Sequence, residues 1–355
     1  MARVFFAAII VGGLVLSSIC FGYSGGSGTA EDPYQIADAN DLLALAADTS
    51  NYDKCFILTA DIDLDPNLPG GQVFTTAIIA SGDVFTGTFD GNSHKITNFT
   101  INGNDYLGLF GYIYPGGAVK NLGLEDFAVS GSSDFYMVGG LVGYNWYGSI
   151  SNCYSTGAVS GSDYVGTLVG YNYGGSISDC YSTGSVSGSQ LVGGLVGQNE
   201  YGSISNCYST SAVSGYDAVG GLVGENYGSI SNCYFLITSG PDNDYGEPLT
   251  DEQMKQQASF TGWDFVGETA NGTEDIWRMC IDGVNYPLLW WQFNTADFTC
   301  PDGVDFIDFA IFANAWLSDP TQVNWNPRCD IAEPPDSVID ILDLAIFAQH
   351  WLEQD

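Results

Sequence analysis

The chain has 355 residues, 42 of them acidic and only 7 basic, for a formal charge of −35 at neutral pH. Such a surface repels phosphate backbones and anionic lipid, which excludes nucleic acid as a partner class. With 46 glycines, many Tyr and Phe, and length enough for a sizeable core, the composition points to two or three folded units.

At the start, basic Arg3, an apolar run from Val4 to Leu16 and small or polar residues from Ser17 read as a secretory signal peptide over residues 1–24. The run is shorter than the roughly 18–20 residues of a stable span, with an uncleaved anchor as the alternative. Ile19 stands where a lipoprotein box needs a small residue before Cys20. Cleavage removes Cys20 and leaves eight cysteines in an oxidising compartment. The expected location is secreted or at the extracellular cell surface, with no membrane span once the signal is gone.

Residues 25–130 hold irregular strand-like pieces, CFILTADIDL and VFTGTFDGNSHKITNFTI, and one short helix near Asp41 to Asp48. A helix placed there covers the open edge of the strands that follow. Residues 131–235 then repeat. Leu141, Leu168, Leu195 and Leu222 are spaced by 27, each within G-x-LVG, each followed by an Asn (Asn145, Asn172, Asn199, Asn226). Ile150, Ile177, Ile204 and Ile230 come next, then Cys153, Cys180, Cys207 and Cys233, each before a Tyr; the fourth copy is one residue shorter. A degenerate earlier copy runs from Leu107 to Gly131. Three short β-branched patches per unit, separated by Gly, Ser and Asn, describe one coil of a β-solenoid with coils stacked about 4.8 Å apart.

Each recurring column has two readings. Stacked cysteines come within disulfide reach, or pack as small hydrophobes without reactivity, since no basic residue is near. Asn and Tyr columns build corners and bury area, or Tyr154, Tyr181, Tyr208 and Tyr234 form an exposed strip for sugar rings. Catalysis on the repeats finds little support. No Lys, Arg or His lies between Lys120 and Lys255, and the acids Asp134, Asp163, Asp179, Glu200, Asp217 and Glu225 are sparse. Asp163 and Asp217 fall two coils apart, roughly 10 Å, at the outer limit for an inverting carboxylate pair.

Over residues 236–293, Thr250 and Gln253 form a capping box that starts a short helix, and the strand-like WRMCIDGVNYPLLWWQF joins it to close the far end of the solenoid. Trp263, Trp277, Trp290 and Trp291 make this segment the place where a sugar cleft would lie.

From residue 294 to 355 Ala and acids replace Gly and Ser. DFIDFAIFANAWL from Asp305 and DILDLAIFAQHWL from Asp340 are 35 residues apart and carry matching apolar stripes at helical spacing: Phe309, Phe312, Ala313, Trp316, and Leu344, Phe347, Ala348, Trp351. Asp297, Thr299, Asp302, Asp305 and Asp308 precede or open the first helix, and Asp330, Asp336, Asp340 and Asp343 the second. Oxygen ligands in a short loop leading into a helix suit calcium, while acidic N-capping is the plainer reading. Cys300 and Cys329, one per loop, are candidates to pair.

Two resemblances follow. The G-x-LVG-x-N, S-I-S-x-CY and V-S-G elements over 138–235 resemble the GLUG repeat of secreted bacterial surface proteins, which implies an extracellular, surface-associated or adhesive role without an established catalytic residue. The final sixty residues resemble a type I dockerin, implying a duplicated calcium loop and helix that binds cohesin modules. On that resemblance Asp297, Thr299, Asp305, Asp308, Asp340 and Asp343 match ligand positions, and Asp330 and Asp336 match approximately; Pro301 replaces one ligand and Gly303 comes one residue late. Phe306, Ile307, Ile341 and Leu342 stand where that family shows polar recognition residues.

The expected architecture is an all-β, right-handed parallel β-solenoid with short capping helices, plus a small α-helical EF-hand-like, dockerin-like C-terminal domain. The expected function is a secreted, non-enzymatic surface or adhesion protein, attached through a calcium-stabilised module to a cohesin-like protein or an extracellular matrix component. The alternative is a carbohydrate-binding or carbohydrate-active β-helix whose ligand is a polysaccharide.

Overall fold

The computed structural model describes residues 22–132, 137–267, 270–293, 296–299, 304–326, 329–332 and 337–351. Of residues 1–24, expected as a signal peptide, 1–21 therefore lie outside it. Twenty strands join in one sheet that winds as a parallel β-solenoid of about five turns.

The 27-residue period is the physical coil. Val142 pairs in parallel register with Val169, Val169 with Val196, and Val196 with Val223. Ile150, Ile177, Ile204 and Ile230 form a second ladder, and Tyr154, Tyr181, Tyr208 and Tyr234 a third. The interior is dry: Leu141, Leu168, Leu195 and Leu222 stack at 0 % exposure with these Val and Ile columns around them. Packing of identical side chains one coil apart removes nearly all of their apolar surface from water, which is where such a Gly-rich chain finds its stability.

Corners follow from backbone chemistry. Asn152, Asp179, Asn206 and Asn232 all adopt left-handed backbone, φ 51–53°. Asn and Asp tolerate that region better than other side chains, which explains S-N-C and S-D-C in every repeat. The corner lies between the inward Ile and the inward Cys and turns Tyr to the outer flank. The extra residue of the third coil, Tyr201, also sits left-handed (φ 55°). The register shift between Glu200 and Ser203 is the length difference from the fourth copy.

Helix α1 (Ala39–Ala47) is capped by Asp38, whose side chain accepts from the backbone N–H of Asn40 and Asp41, and its Leu42 and Leu45 enter the core at the N-terminal end. Helix α2 (Asp251–Met254) carries the expected Thr250/Gln253 capping box. The segment that contains it covers part of the far end, where Glu247–Leu249 pairs with Tyr234–Leu236 and Asn243 bonds the Val223 and Gly224 carbonyls. It runs back along the flank and roofs the Tyr ladder: Trp263 and Trp277 are fully buried against Tyr208, and Trp291 reaches Tyr154. Large aromatic faces that the ladder leaves on the outside explain the detour.

Helices α3 (Phe306–Ala315) and α4 (Ile341–Gln349) form a separate small core with Phe298, Phe312 and Phe347 stacked between them. Phe306 meets Trp351, and Leu317 N–H bonds Ile339 O, so the two helices run antiparallel.

Candidate functional site

The Asn columns are consumed by construction. Asn145 Nδ2 donates to Asn172 Oδ1 at 2.8 Å, Asn172 to Asn199 and Asn199 to Asn226 at 2.7 Å each, while the same amides bond the carbonyls of Gly148, Gly175 and Gly202. A second, shallower amide ladder runs down the corners, Asn152 to Asn121, Asn206 to Asp179 and Asn232 to Asn206.

Cys153, Cys180, Cys207 and Cys233 are buried thiols, each donating to the carbonyl two residues back (Ser151, Ser178, Ser205, Ser231) at 3.0–3.1 Å. Burial pushes the thiols of Cys180, Cys207 and Cys233 far up, so they are inert hydrophobes rather than nucleophiles. Of the two readings of this column, packing is the one observed.

The Tyr column is not an exposed sugar strip. Tyr154 stacks on Tyr181 at 5.2 Å and Tyr181 on Tyr208 at 5.0 Å, all buried beneath residues 260–292. Their hydroxyls are engaged: Tyr154 donates to Glu125 (2.6 Å), Tyr208 to Pro287 O (2.7 Å), and Gln292 Nε2 donates to Tyr181 (2.7 Å). The expectation that Trp263 and Trp277 line a cleft is corrected for the same reason, since both are roof beams at 0 % exposure.

An outer aromatic face lies elsewhere. Tyr112, Tyr144 and Tyr171 stand in register on successive coils, with Tyr144 and Tyr171 stacked at 5.0 Å. Two positions on, Tyr114, Trp146 and Tyr173 form a parallel row, flanked by exposed Tyr147 and Tyr201. Partial burial pushes the Tyr112 phenol up to about 12 and raises Tyr144 and Tyr171 further. The face ends on acids, where Tyr171 OH bonds Glu200 and Gln198 bonds Glu225 at 2.7 Å. Sequence reading missed it, although Y-N-[WY] recurring at 27 residues was its signal.

A groove of about 570 Å³ between the corners and the flank segment gathers Asp179, Asp264 and Glu274 beside Asn152, Asn206 and Asn271. Burial raises the carboxyl of Asp179, partly opposed by donors including Asn206, and Glu274 adds repulsion. Asp163 and Asp217 are confirmed two coils apart, with Gln190 between them in the register.

In the C-terminal pair, Asp305 and Asp340 cap α3 and α4, and Asp308 and Asp343 complete capping boxes. Asp308 Oδ1 accepts from Phe298 N, Thr299 N and Thr299 Oγ1, each at 2.8 Å, and Oδ2 from Asp305 N at 2.9 Å. Burial acts to raise this carboxyl, but the bonds outweigh it and hold it below its usual range. Asp343 repeats the pattern with Ile331, Ala332 and Asp340, and Asp330 accepts from Ser337 N. Asp297 is buried and accepts from Thr299 N. Asp302 and Asp336 lie outside the described residues, among which no three acidic, His or Cys side chains gather closely enough to hold a metal ion. Asp308 and Asp343 are nonetheless buried carboxylates that form no salt bridge among the described residues. Their charge is met by the N–H and O–H donors just named. Phe306, Ile307, Ile341 and Leu342 are all exposed, as pairs at opposite ends of the antiparallel helices. Cys329 is a buried thiol, so the expected Cys300–Cys329 bridge is corrected; Cys280 carries the disulfide, and Cys300 lies outside the described residues.

No helix among the described residues is long and apolar enough to cross a membrane. The chain is 35% identical over 146 residues to halomucin of Haloquadratum walsbyi, covering 39% of this chain and 2% of that protein. It is 38% identical over 135 residues to a protein designated a Gly-rich membrane protein in Evansella cellulosilytica, covering 37% of this chain and 15% of that protein. A solved structure designated an immunoglobulin A1 protease of Bacteroides ovatus aligns over 76% of this chain and 95% of its own, at 21% identity and a TM-score of 0.48. The model of the GLUG motif matches residues 136–160, 161–187, 188–214 and 215–238. The buried Leu, Asn, Ile and Cys ladders of the solenoid are thus four consecutive copies of the GLUG motif.

Proposed function

We propose that the chain is a non-enzymatic surface protein in which the solenoid is a stiff display element and the C-terminal helix pair an attachment module. One observation carries this reading: the Leu, Cys and Tyr154–Tyr234 columns that recur in the repeats are buried and spent on stacking, and no Lys, Arg or His occurs in the sequence of the repeats. Relatives named halomucin and a membrane protein accord with a place at the cell surface.

The module is proposed to be stabilised by calcium, with Asp297, Thr299, Asp302, Asp305 and Asp308 in one loop and Asp330, Asp336, Asp340 and Asp343 in the other as donors. Bound calcium would supply positive charge beside the buried Asp308 and Asp343. A cohesin-like protein or a matrix component is the proposed partner, meeting Phe306 and Ile307 or Ile341 and Leu342. Calorimetric titration with calcium, and pull-down from extracellular fractions with and without chelator, test it. Absence of heat and of any thermal shift would remove the calcium, and chelator-independent capture would remove its role in attachment.

A second reading, carbohydrate binding, is favoured by the outer face of Tyr144, Trp146, Tyr171 and Tyr173. Sugar release from a polysaccharide panel would overturn the non-enzymatic reading altogether.

A further inference from the structure

The solenoid ends on an unfinished coil. The strand Val223–Ser231 pairs on one side only, with Val196–Ser205. Beyond it, the chain covers part of the coil end: Asn243 Nδ2 bonds Val223 O and Gly224 O, and Glu247–Leu249 pairs with Tyr234–Leu236. From Asn226 to Ser231 no further strand follows among the described residues, while the Asn232 carbonyl accepts from Trp263 Nε1 at 2.8 Å. A cleft of about 880 Å³ runs there instead, with Asn226, Gly228, Ile230 and Asn232 on one wall and Tyr245, Gly246, Glu247 and Thr261 on the other.

Two interior ladders stop open at this slot. Ile150, Ile177 and Ile204 are 0–1% exposed, whereas Ile230 is only half-buried. Asn226 accepts from Asn199 but has no further amide to donate to, and its Nδ2 turns back to Gly228 O at 3.4 Å. The Ser231 carbonyl faces inward, accepting from Asn206 N. Alternation along a parallel strand then turns the N–H and C=O of Ile230 outward, toward the slot. An exposed edge with unpaired backbone groups is a template for an added strand.

The charges around the slot choose the occupant. Glu225, Asp244 and Glu247 border it, no Lys, Arg or His occurs in sequence from residue 121 to 254, and Lys255 is ion-paired with Asp251. A second copy of this chain is a poor fit. Its N-terminal end is covered by α1, the stretch from Phe74 to Phe85 makes only isolated bridges, and edge-to-edge pairing sets these acids against themselves.

We infer that the Asn226–Ser231 edge receives an extended strand from a different polypeptide, one that carries basic residues beside a repeat-like core with an Asn to prolong the amide ladder and a β-branched residue to cover Ile230. The inference does not depend on the attachment role of the C-terminal module.

The probe is a synthetic peptide, VGYNYGGSIS from residues 169–178 with two lysines at each end, titrated calorimetrically into the full chain and followed by hydrogen exchange. Expected are saturable binding and slowed exchange confined to residues 224–232, with a scrambled peptide of equal composition and charge giving neither. Ile230→Pro removes one outward N–H and is expected to weaken binding at least tenfold, with its melting curve reporting whether the coil survives. No heat and no protection, equal protection by the scrambled peptide, or concentration-dependent self-association that protects the same residues without peptide would each overturn the proposal.

Discussion

Asp179 stands in the corner ladder where its neighbours one coil away are Asn152 and Asn206, and it accepts from Asn206 Nδ2 at 3.1 Å without being able, when ionised, to donate to Asn152. An Asn at that position has the missing donor.

Asp179→Asn should therefore stabilise the fold at neutral pH, by about 1 kcal/mol for a restored hydrogen bond. The effect should depend on pH. Burial raises the Asp179 carboxyl above its ordinary value of 3.8, with Glu274 adding to the shift. The folded chain holds this proton more tightly than the unfolded chain. Its contribution is thus fully present below 3.8 and lost as pH rises through the folded value. Melting temperatures measured from pH 3 to 8 should converge for the two proteins at the acid end and diverge above it. Parallel curves would show that Asp179 does not titrate in this way.

Asn172→Ala should leave Asn199 Nδ2 paired only to Gly202 and Asn226, but strip Asn199 Oδ1 of its donor and Asn145 Nδ2 of its acceptor across the coils. Each orphaned buried group costs roughly 1–3 kcal/mol. Urea denaturation should show the loss, and a change under 0.5 kcal/mol, the level of an ordinary surface substitution, would mean that the ladder contributes little.

Alkylation of the native protein should spare Cys153, Cys180, Cys207 and Cys233, and denaturation should expose all four to reagent, as read by peptide mapping. Rapid native labelling, or resistance to labelling after denaturation without reductant, would contradict a column of buried thiols.

Trp277→Ala removes the roof over Tyr181 and Tyr208 and should cost about 3–5 kcal/mol. Loosening of the flank segment should also make residues 260–292 the first site of limited proteolysis. Unchanged melting would show that the roof is not coupled to the ladder.

The repeat architecture was legible because period and buried columns coincide: a Leu, Asn, Ile and Cys recurring at 27 residues cannot all be loop decoration. The Thr250 capping box and the two apolar stripes leading to Trp316 and Trp351 were legible for a similar reason, since local hydrogen bonding and helical spacing decide them. What chain order cannot convey is which flank a later segment will cover. Tyr154 and Tyr144 have the same local character, each one residue from an inward side chain. Only the return of Trp263, Trp277 and Trp291 buries the first column and leaves the second outside.

That return path also sets how the molecule bears force. The flank segment leaves the solenoid near Tyr154, at Trp291, after crossing Tyr234, Tyr208 and Tyr181 in turn. Tension applied at the C-terminus therefore meets the bond of Arg278 to the Asp297 carbonyl and then the Trp291 contact with Tyr154, both on the strap, before it reaches the coils. A tether anchored there would yield in small steps before the stiff rod is loaded at all.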